Sequence, residues 1–240
     1  MHKITLVIIF ILIISACGQD NRTPEQQMSE AEITQTDTSA VVIIDTPEEL
    51  NQSSVSLSDS DFVVMSKYAS GFSYDMKYAT EDNFLKKKVY SCSECLLRKA
   101  VADALIKVNE VFRSMGYSIK FYDCYRPVDV QKKMWEIYPD DRYVGNPNKS
   151  GSIHNRGGAV DITLVDAEGN ELDMGTAFDH FGVEAHHKYS NLPKEVLENR
   201  RILKETMEAN GFSSITSEWW HYNYQGSKKY ALSNFMVECK

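Results

Sequence analysis

Two histidines, an aspartate and a glutamate stand where metal chemistry would need them. The run Ser152-Ile153-His154-Asn155-Arg156-Gly157-Gly158-Ala159-Val160-Asp161 sets one imidazole close to one carboxylate. Far downstream, Glu218-Trp219-Trp220-His221 adds a second imidazole and a second carboxylate. Two imidazoles and one carboxylate are a full set of protein ligands for a catalytic zinc, which keeps its fourth position open for water. His154, Asp161 and His221 are therefore the candidate ligands of one Zn2+ per chain. Glu218 is left over as a general base for that water. The chemistry these residues suggest is metal-assisted hydrolysis.

The elements around these residues must bring them together. Ala159 to Val165 reads as a strand, and Gly157-Gly158 lets the backbone turn sharply between His154 and Asp161. Glu218 and His221 are three apart, which places them on opposite faces of a regular strand. A bulge or a strand end is expected there. Leu96, Leu97, Val101, Leu105, Val108 and Phe112 recur at helical spacing. They predict a helix from Ser93 to Met115, capped by Ser93 and stopped by Gly116. Tyr117 to Tyr125 alternates as a strand, and Pro127 opens a helix running to about Tyr138. Glu168-Gly169-Asn170-Glu171 is a turn into a further strand. Lys194 to Asn210 is a third helix, closed by Gly211, and Trp219 to Tyr224 is β-like. Helices mixed with hairpin-linked strands argue for an α+β single domain with a central antiparallel sheet and flanking helices.

The ends of the chain read differently. Lys3 followed by the apolar run Ile4–Ile14 suits a signal-peptide core and is short for a membrane span. It leads into Ser15-Ala16-Cys17, which resembles a bacterial lipobox. Residues 1–17 are thus expected to be a lipoprotein signal, with Cys17 lipidated. Residues 18–60 hold nine acidic residues against Arg22 alone, a charge equal to the chain's whole net charge of −8, so the rest of the chain is neutral in sum. That composition predicts a disordered acidic tether, with Val41–Ile44 the one run that could dock as a strand. Residues 61–240 are left as the domain. No basic face stands out, so nucleic acid is not an expected partner. The expected location is exported and membrane-anchored.

Several motifs in order resemble one family. They are Tyr74-Asp75-Met76-Lys77-Tyr78-Ala79-Thr80 with Asn83-Phe84, then Cys95-Leu96-Leu97-Arg98, then Tyr122-Asp123-Cys124-Tyr125-Arg126-Pro127. The Ser152–Asp161 run, Met174-Gly175-Thr176-Ala177-Phe178-Asp179 and Glu218–His221 follow. Together they resemble the vancomycin-resistance-type D-Ala-D-Ala dipeptidases, zinc peptidases related to D,D-carboxypeptidases and to the hedgehog domain. The resemblance implies a hedgehog/D,D-peptidase-like fold and a small D,D-dipeptide as substrate. It also implies roles. His154, Asp161 and His221 bind zinc, and Glu218 is base and then acid. Arg126 stabilises the oxyanion, while Ser152 and Asp179 hold the free amino group. Without it, the plain reading of Arg126 is an ion pair with Asp123 or Asp129.

Two other functions stay open on the sequence. One is a D,D-carboxypeptidase acting on peptidoglycan stems. The other is a non-catalytic hedgehog-like binding module, for which an intact Glu218 has no use. An exported enzyme would not reach cytoplasmic dipeptide, so wall turnover or scavenging of D-amino acids fits better than resistance. His180, His186 and His187 read as surface or satisfied core residues. Export permits disulfides, and a Cys92–Cys95 bridge and free buried thiols are equally open.

Overall fold

The structure, a computed structural model, describes residues 57–236. The signal segment with Cys17, the tether up to residue 56, the Val41–Ile44 run and Cys239 lie outside the described residues. In chain order the elements are β1 (Phe62–Val64), α1 (Met65–Tyr68), β2 (Ser73–Tyr74), β3 (Leu96–Arg98) and α2 (Lys99–Ser114). Then come β4 (Ser118–Asp123), α3 (Val128–Ile137), β5 (Ala159–Val165), α4 (Lys194–Ala209), β6 (Phe212–Ile215) and β7 (Glu218–Tyr224). Five strands form a sheet in the order β2-β4-β5-β7-β6, and β1 pairs with β3 in a separate antiparallel ribbon. The central pairs are antiparallel, as the sequence suggests, while β2 joins the edge in parallel to β4. Among the described residues no helix is long and apolar enough to cross a membrane.

The helix expected from Ser93 begins instead at Lys99. Leu96–Arg98 is drawn into a strand by Phe62–Val64, with Val63 opposite Leu97. That partner lies too far away in sequence for local spacing to reveal it, and the helical period simply ran on through a buried strand. At the other end the expectation holds. Gly116, at φ +87°, ends the helix, and the Tyr117 N–H reaches back to the Phe112 carbonyl. The strand expected after the Glu168–Asn170 turn is reduced to a single bridge between Val165 and Glu171. Residues 58–60, counted with the tether in the sequence, are bonded to the domain: Arg98 donates to the Ser60 carbonyl and the Ala100 N–H to that of Asp59.

The main core lies between one face of the sheet and two helices. Val101, Leu105, Val108 and Phe112 of α2 and Leu203 and Met207 of α4 join Val160, Ile162 and Leu164 of β5. Burial of each such side chain stabilises the fold by roughly 1.5–3 kcal/mol. Because side chains alternate along a strand, the odd-numbered residues of β5, Asp161 among them, face the other way. All seven residues of β5 are buried, so this second face is covered as well.

Cys95 is disulfide-bonded to Cys124. The Cys92–Cys95 bridge is therefore not formed, nor are free thiols at 95 and 124; Cys92 too is disulfide-bonded. The Cys-x-x-Cys spacing does not set the pairing, because the chain entering β3 brings Cys95 beside the end of β4.

Candidate active site

The second face of the sheet carries a row of polar side chains. In the strand register Asp123 of β4 lies opposite Asp161 of β5, and Asp161 lies opposite His221 of β7. Directly opposed residues share a face, so all three point the same way. Two bulges make the row. One, between Phe121 and Asp123, turns Asp123 out of step with the core residues of β4. The other lies in the β6–β7 hairpin, where Ser214 pairs with Tyr222 but Ile215 already pairs with Glu218. That slip lets Glu218 stand beside His221, with Oε2 3.9 Å from Nδ1. It is the irregularity that the three-residue spacing requires.

His154 arrives from a short 3-10 turn, Ile153–Arg156. Ser152 caps it: its hydroxyl accepts from the His154 N–H, and the Asn155 side chain accepts from the Ser152 N–H. Gly157 ends it at φ +68°. A Cβ on Gly157 would stand 2.3 Å from the Phe62 ring, and one on Gly158 2.3 Å from Ser227. Both glycines are thus needed for close packing, and Gly157 also for its left-handed backbone. Arg98 donates to the Arg156 carbonyl and so ties the turn to β3.

His154 Nε2, His221 Nδ1 and Asp161 Oδ1 converge. The imidazole nitrogens are 3.2 Å apart, and Asp161 Oδ1 lies 3.4 Å from the first and 3.0 Å from the second. Among the described residues this is the one cluster fit to hold a metal ion. The outer nitrogens are engaged: His154 Nδ1 donates to the Cys124 carbonyl at 2.7 Å and His221 Nε2 to the Asn223 side-chain oxygen at 3.0 Å. These partners fix both tautomers with a lone pair aimed inward, the arrangement of metal-ligating histidines. The donor set, two imidazoles and one carboxylate, suits zinc. Burial opposes ionisation of Asp161, but the two imidazoles hold its carboxyl well below the usual range. That favours the anion, the form in which a carboxylate can bind a metal.

Glu218 is the opposite case. Burial, with the Asp161 charge added, pushes its carboxyl up to about 7, although His221 and Arg126 work against the rise. A carboxylate poised there suits proton transfer near neutral pH. Arg126 is 7% exposed and bonded to Asp123 through Nε and Nη2 at 3.1 and 2.6 Å, and to Gln131 through Nη1 at 2.9 Å. Asp129 pairs with Lys132 instead. The plain reading of Arg126 as an ion pair with Asp123 is thus correct, and the same guanidinium also lines the cavity of the metal cluster. Tyr90 donates to the other Asp123 oxygen at 2.6 Å, so the carboxylate that holds Arg126 is itself held.

That cavity measures about 190 Å³ and contains every candidate site residue: His154, Asp161, His221, Glu218, Arg126, Ser152 and Asp179. Asp179 accepts from the Tyr78 hydroxyl at 3.0 and 3.1 Å. Burial and the Asp161 charge push its carboxyl well above the usual range. Its backbone sits at φ +59°, a left-handed conformation that costs a non-glycine residue on the order of 1 kcal/mol and that concentrates at functional sites. A bond from the Trp219 indole to Thr176 ties the loop before it to β7. Asp179 also lines a larger hollow of about 780 Å³, which contains none of the candidate ligands. His180 pairs with Glu184 and takes no part in the cluster.

A peptidase M15 family described as D-ala-D-ala dipeptidase matches residues 58–238. The chain belongs to this family. It is a peptidase. The D-alanyl-D-alanine dipeptidase of Escherichia coli strain K12 is 37% identical over 165 residues, spanning 69% of this chain and 85% of that one. The protein of the same name from Enterococcus faecalis is 34% identical over 185 residues, spanning 68% and 91%. Among solved structures, the vancomycin-resistance D,D-dipeptidase VanXYg in complex with a D-Ala-D-Ala phosphinate analog is 23% identical. It has a TM-score of 0.35 over 55% of this chain and 51% of that one.

The sequence reading of this dipeptidase-family site missed its supporting residues. Asn223 was within reach, two residues past His221, since a metal-bound imidazole needs an outer partner. Tyr78 gave no signal for its bond to Asp179, which comes from 101 residues away. Gln131 and Tyr90 were hidden in the same way, because their roles exist only through Arg126 and Asp123.

Proposed function

We propose that this protein is a zinc-dependent dipeptidase that hydrolyses D-Ala-D-Ala to two D-alanines. The observation that carries this reading is one small cavity shared by a tautomer-fixed His154–Asp161–His221 cluster and by Glu218, with its carboxyl raised to about 7. His154, Asp161 and His221 would hold the zinc. When bound, zinc supplies a Lewis acid for the scissile carbonyl and lowers the pKa of its water toward 7.

The residues of the chain do the rest. Glu218 takes the proton of the attacking water and passes it to the leaving amine, at Oε1 or Oε2 of one carboxylate. Arg126 faces the charge that grows on the carbonyl oxygen, and its bonds to Asp123 and Gln131 fix the fork before the reaction starts. Asp179, braced by Tyr78, and Ser152 hold the free ammonium of the dipeptide. The Ser152 hydroxyl already caps the 3-10 turn, so its share is a lone pair beside a role in folding.

Export and anchoring through lipid on Cys17 form part of the proposal. The apolar run Ile4–Ile14 before Ser15-Ala16-Cys17 supports them, and a buried Cys95–Cys124 disulfide suits an oxidising compartment. The test is the full-length protein in detergent, assayed on D-Ala-D-Ala and on an acyl-D-Ala-D-Ala peptide before and after chelation. Turnover of the dipeptide that chelation abolishes and zinc restores is expected. Equal rates on both substrates would favour a carboxypeptidase, and no turnover with zinc bound would favour a binding module.

A further inference from the structure

A dipeptide has two charged ends, and the proposed site so far accounts for one. Its ammonium has Asp179; its carboxylate has no assigned partner. Among the described residues that line the cavity of the metal cluster, two arginines carry fixed positive charge, Arg126 and Arg142. Arg126 is committed. All three of its nitrogens donate to Asp123 or Gln131, and it is buried against the Tyr78 ring at 5.3 Å. Arg142 is paired too, but with a single carboxylate and at the surface. Its side chain is 75% exposed, and it bonds Asp140 through Nε and Nη2.

The anions of the cavity are also spoken for. Asp161 belongs to the ligand set, Glu218 is the base, Asp141 pairs with Lys149, and Asp179 faces the ammonium. Setting aside the groups with another task leaves one acid and one base, which is the charge pattern of a zwitterion. The segments bearing the two are fastened together. Tyr143, next to Arg142, stacks on Phe181, two residues past Asp179, with ring centroids 4.4 Å apart and planes at 20°. Phe84 and Tyr138 close on the same Phe181 ring at 4.8 and 5.4 Å. An aromatic clasp thus links the two charged rims and limits how far they can separate.

We propose that Arg142 binds the terminal carboxylate of the dipeptide, exchanging its Asp140 partner for the substrate. This rests on the dipeptidase reading above and makes the enzyme a reader of both ends of a short zwitterion. A guanidinium suits the task because its planar fork matches a carboxylate. Asp140 pairs with the guanidinium while no substrate is bound.

The experiment compares D-Ala-D-Ala with its C-terminal amide, which keeps the ammonium and the scissile bond but lacks the negative charge. Wild-type protein should prefer the acid. Arg142→Ala should raise KM for the acid about 5-fold, as expected for an exposed charge pair, with kcat little changed. KM for the amide should not move. Asp140→Asn, which removes the competing carboxylate, should lower KM for the acid alone. Equal losses on acid and amide in Arg142→Ala, or a KM for the acid that is unchanged or raised in Asp140→Asn, would overturn the assignment. A wild-type protein that cleaves neither compound with zinc bound would instead overturn the dipeptidase reading, and this inference with it.

Discussion

His221 Nε2 donates to the side-chain oxygen of Asn223 at 3.0 Å, and its Nδ1 lies 3.0 Å from Asp161. Asn223 thus decides which nitrogen of His221 turns its lone pair toward His154 and Asp161. Asn223 reaches it from the same strand, two residues on, where alternation puts both side chains on one face. Asn223→Ala should weaken zinc binding by about 10- to 100-fold while leaving the fold intact, because outer partners orient the ring and raise its basicity. Competition against a chromogenic chelator measures this without any substrate. Wild-type zinc affinity in Asn223→Ala would show that the ring is held by packing alone.

The pH profile should report Glu218. A base must be deprotonated to act, so kcat/KM should rise with pH through its pKa. Burial sets that value near 7 before any cation binds, and a nearby dication would draw it lower. The acid limb should therefore fall at or below about pH 7. Glu218→Gln should retain zinc and lose about 10²–10⁴ in kcat. An acid limb unchanged in the residual activity of Glu218→Gln would assign it to another group.

The legible part of this chain was whatever acts locally. The strand Ala159–Val165 was read to the residue, and a bulge or strand end at Glu218 followed from a three-residue spacing that no flat strand can satisfy. Helix ends near Met115 and Asn210 followed from the glycines that come next, Gly116 and Gly211. What failed was non-local. Leu96–Arg98 carried a helical pattern but belongs to β1 through hydrogen bonds, and Cys95 found Cys124 rather than Cys92. The His154–Asp161–His221 cluster was legible because its residue types are scarce and chemically specific. Their braces, Tyr78, Asp123 and Asn223, are common residues whose meaning lies in a partner.

The Cys95–Cys124 bridge should matter to the site and not only to stability. Cys124 offers its carbonyl to His154 Nδ1, and the bridge holds that backbone to β3. Opening it frees the end of β4 next to Arg126. A Cys95→Ala/Cys124→Ala protein should lose roughly 2–5 kcal/mol of unfolding free energy, and zinc affinity should fall with it. Denaturant titration with and without zinc separates the two effects. A loss of stability with zinc affinity unaltered would make the bridge a staple alone.

Substrate length should be governed by Asp179. Burial and the Asp161 charge raise its carboxyl well above the usual range, so the empty site favours the protonated form. A bound ammonium favours the carboxylate, so binding should expel a proton, and KM for the dipeptide should rise as pH falls. Calorimetric titration of Glu218→Gln with D-Ala-D-Ala in buffers of different ionisation enthalpy would count that proton. Acetylating the amino group removes the cation and leaves the site's acid without its partner. Breaking one partner of such a pair costs about 2–5 kcal/mol, and the low end applies because Asp179 can take up a proton instead of staying charged, so kcat/KM should fall roughly 30-fold. Asp179→Asn should narrow the gap between free and acetylated substrate and abolish the proton release, with zinc content unchanged. The braced geometry makes a second demand: Tyr78→Phe, which removes the two bonds to Asp179, should shift the same discrimination in the same direction but by less. If acetylated and free dipeptide were cleaved alike by the wild type, Asp179 would not be reading the ammonium, and the small cavity would have to select by shape alone.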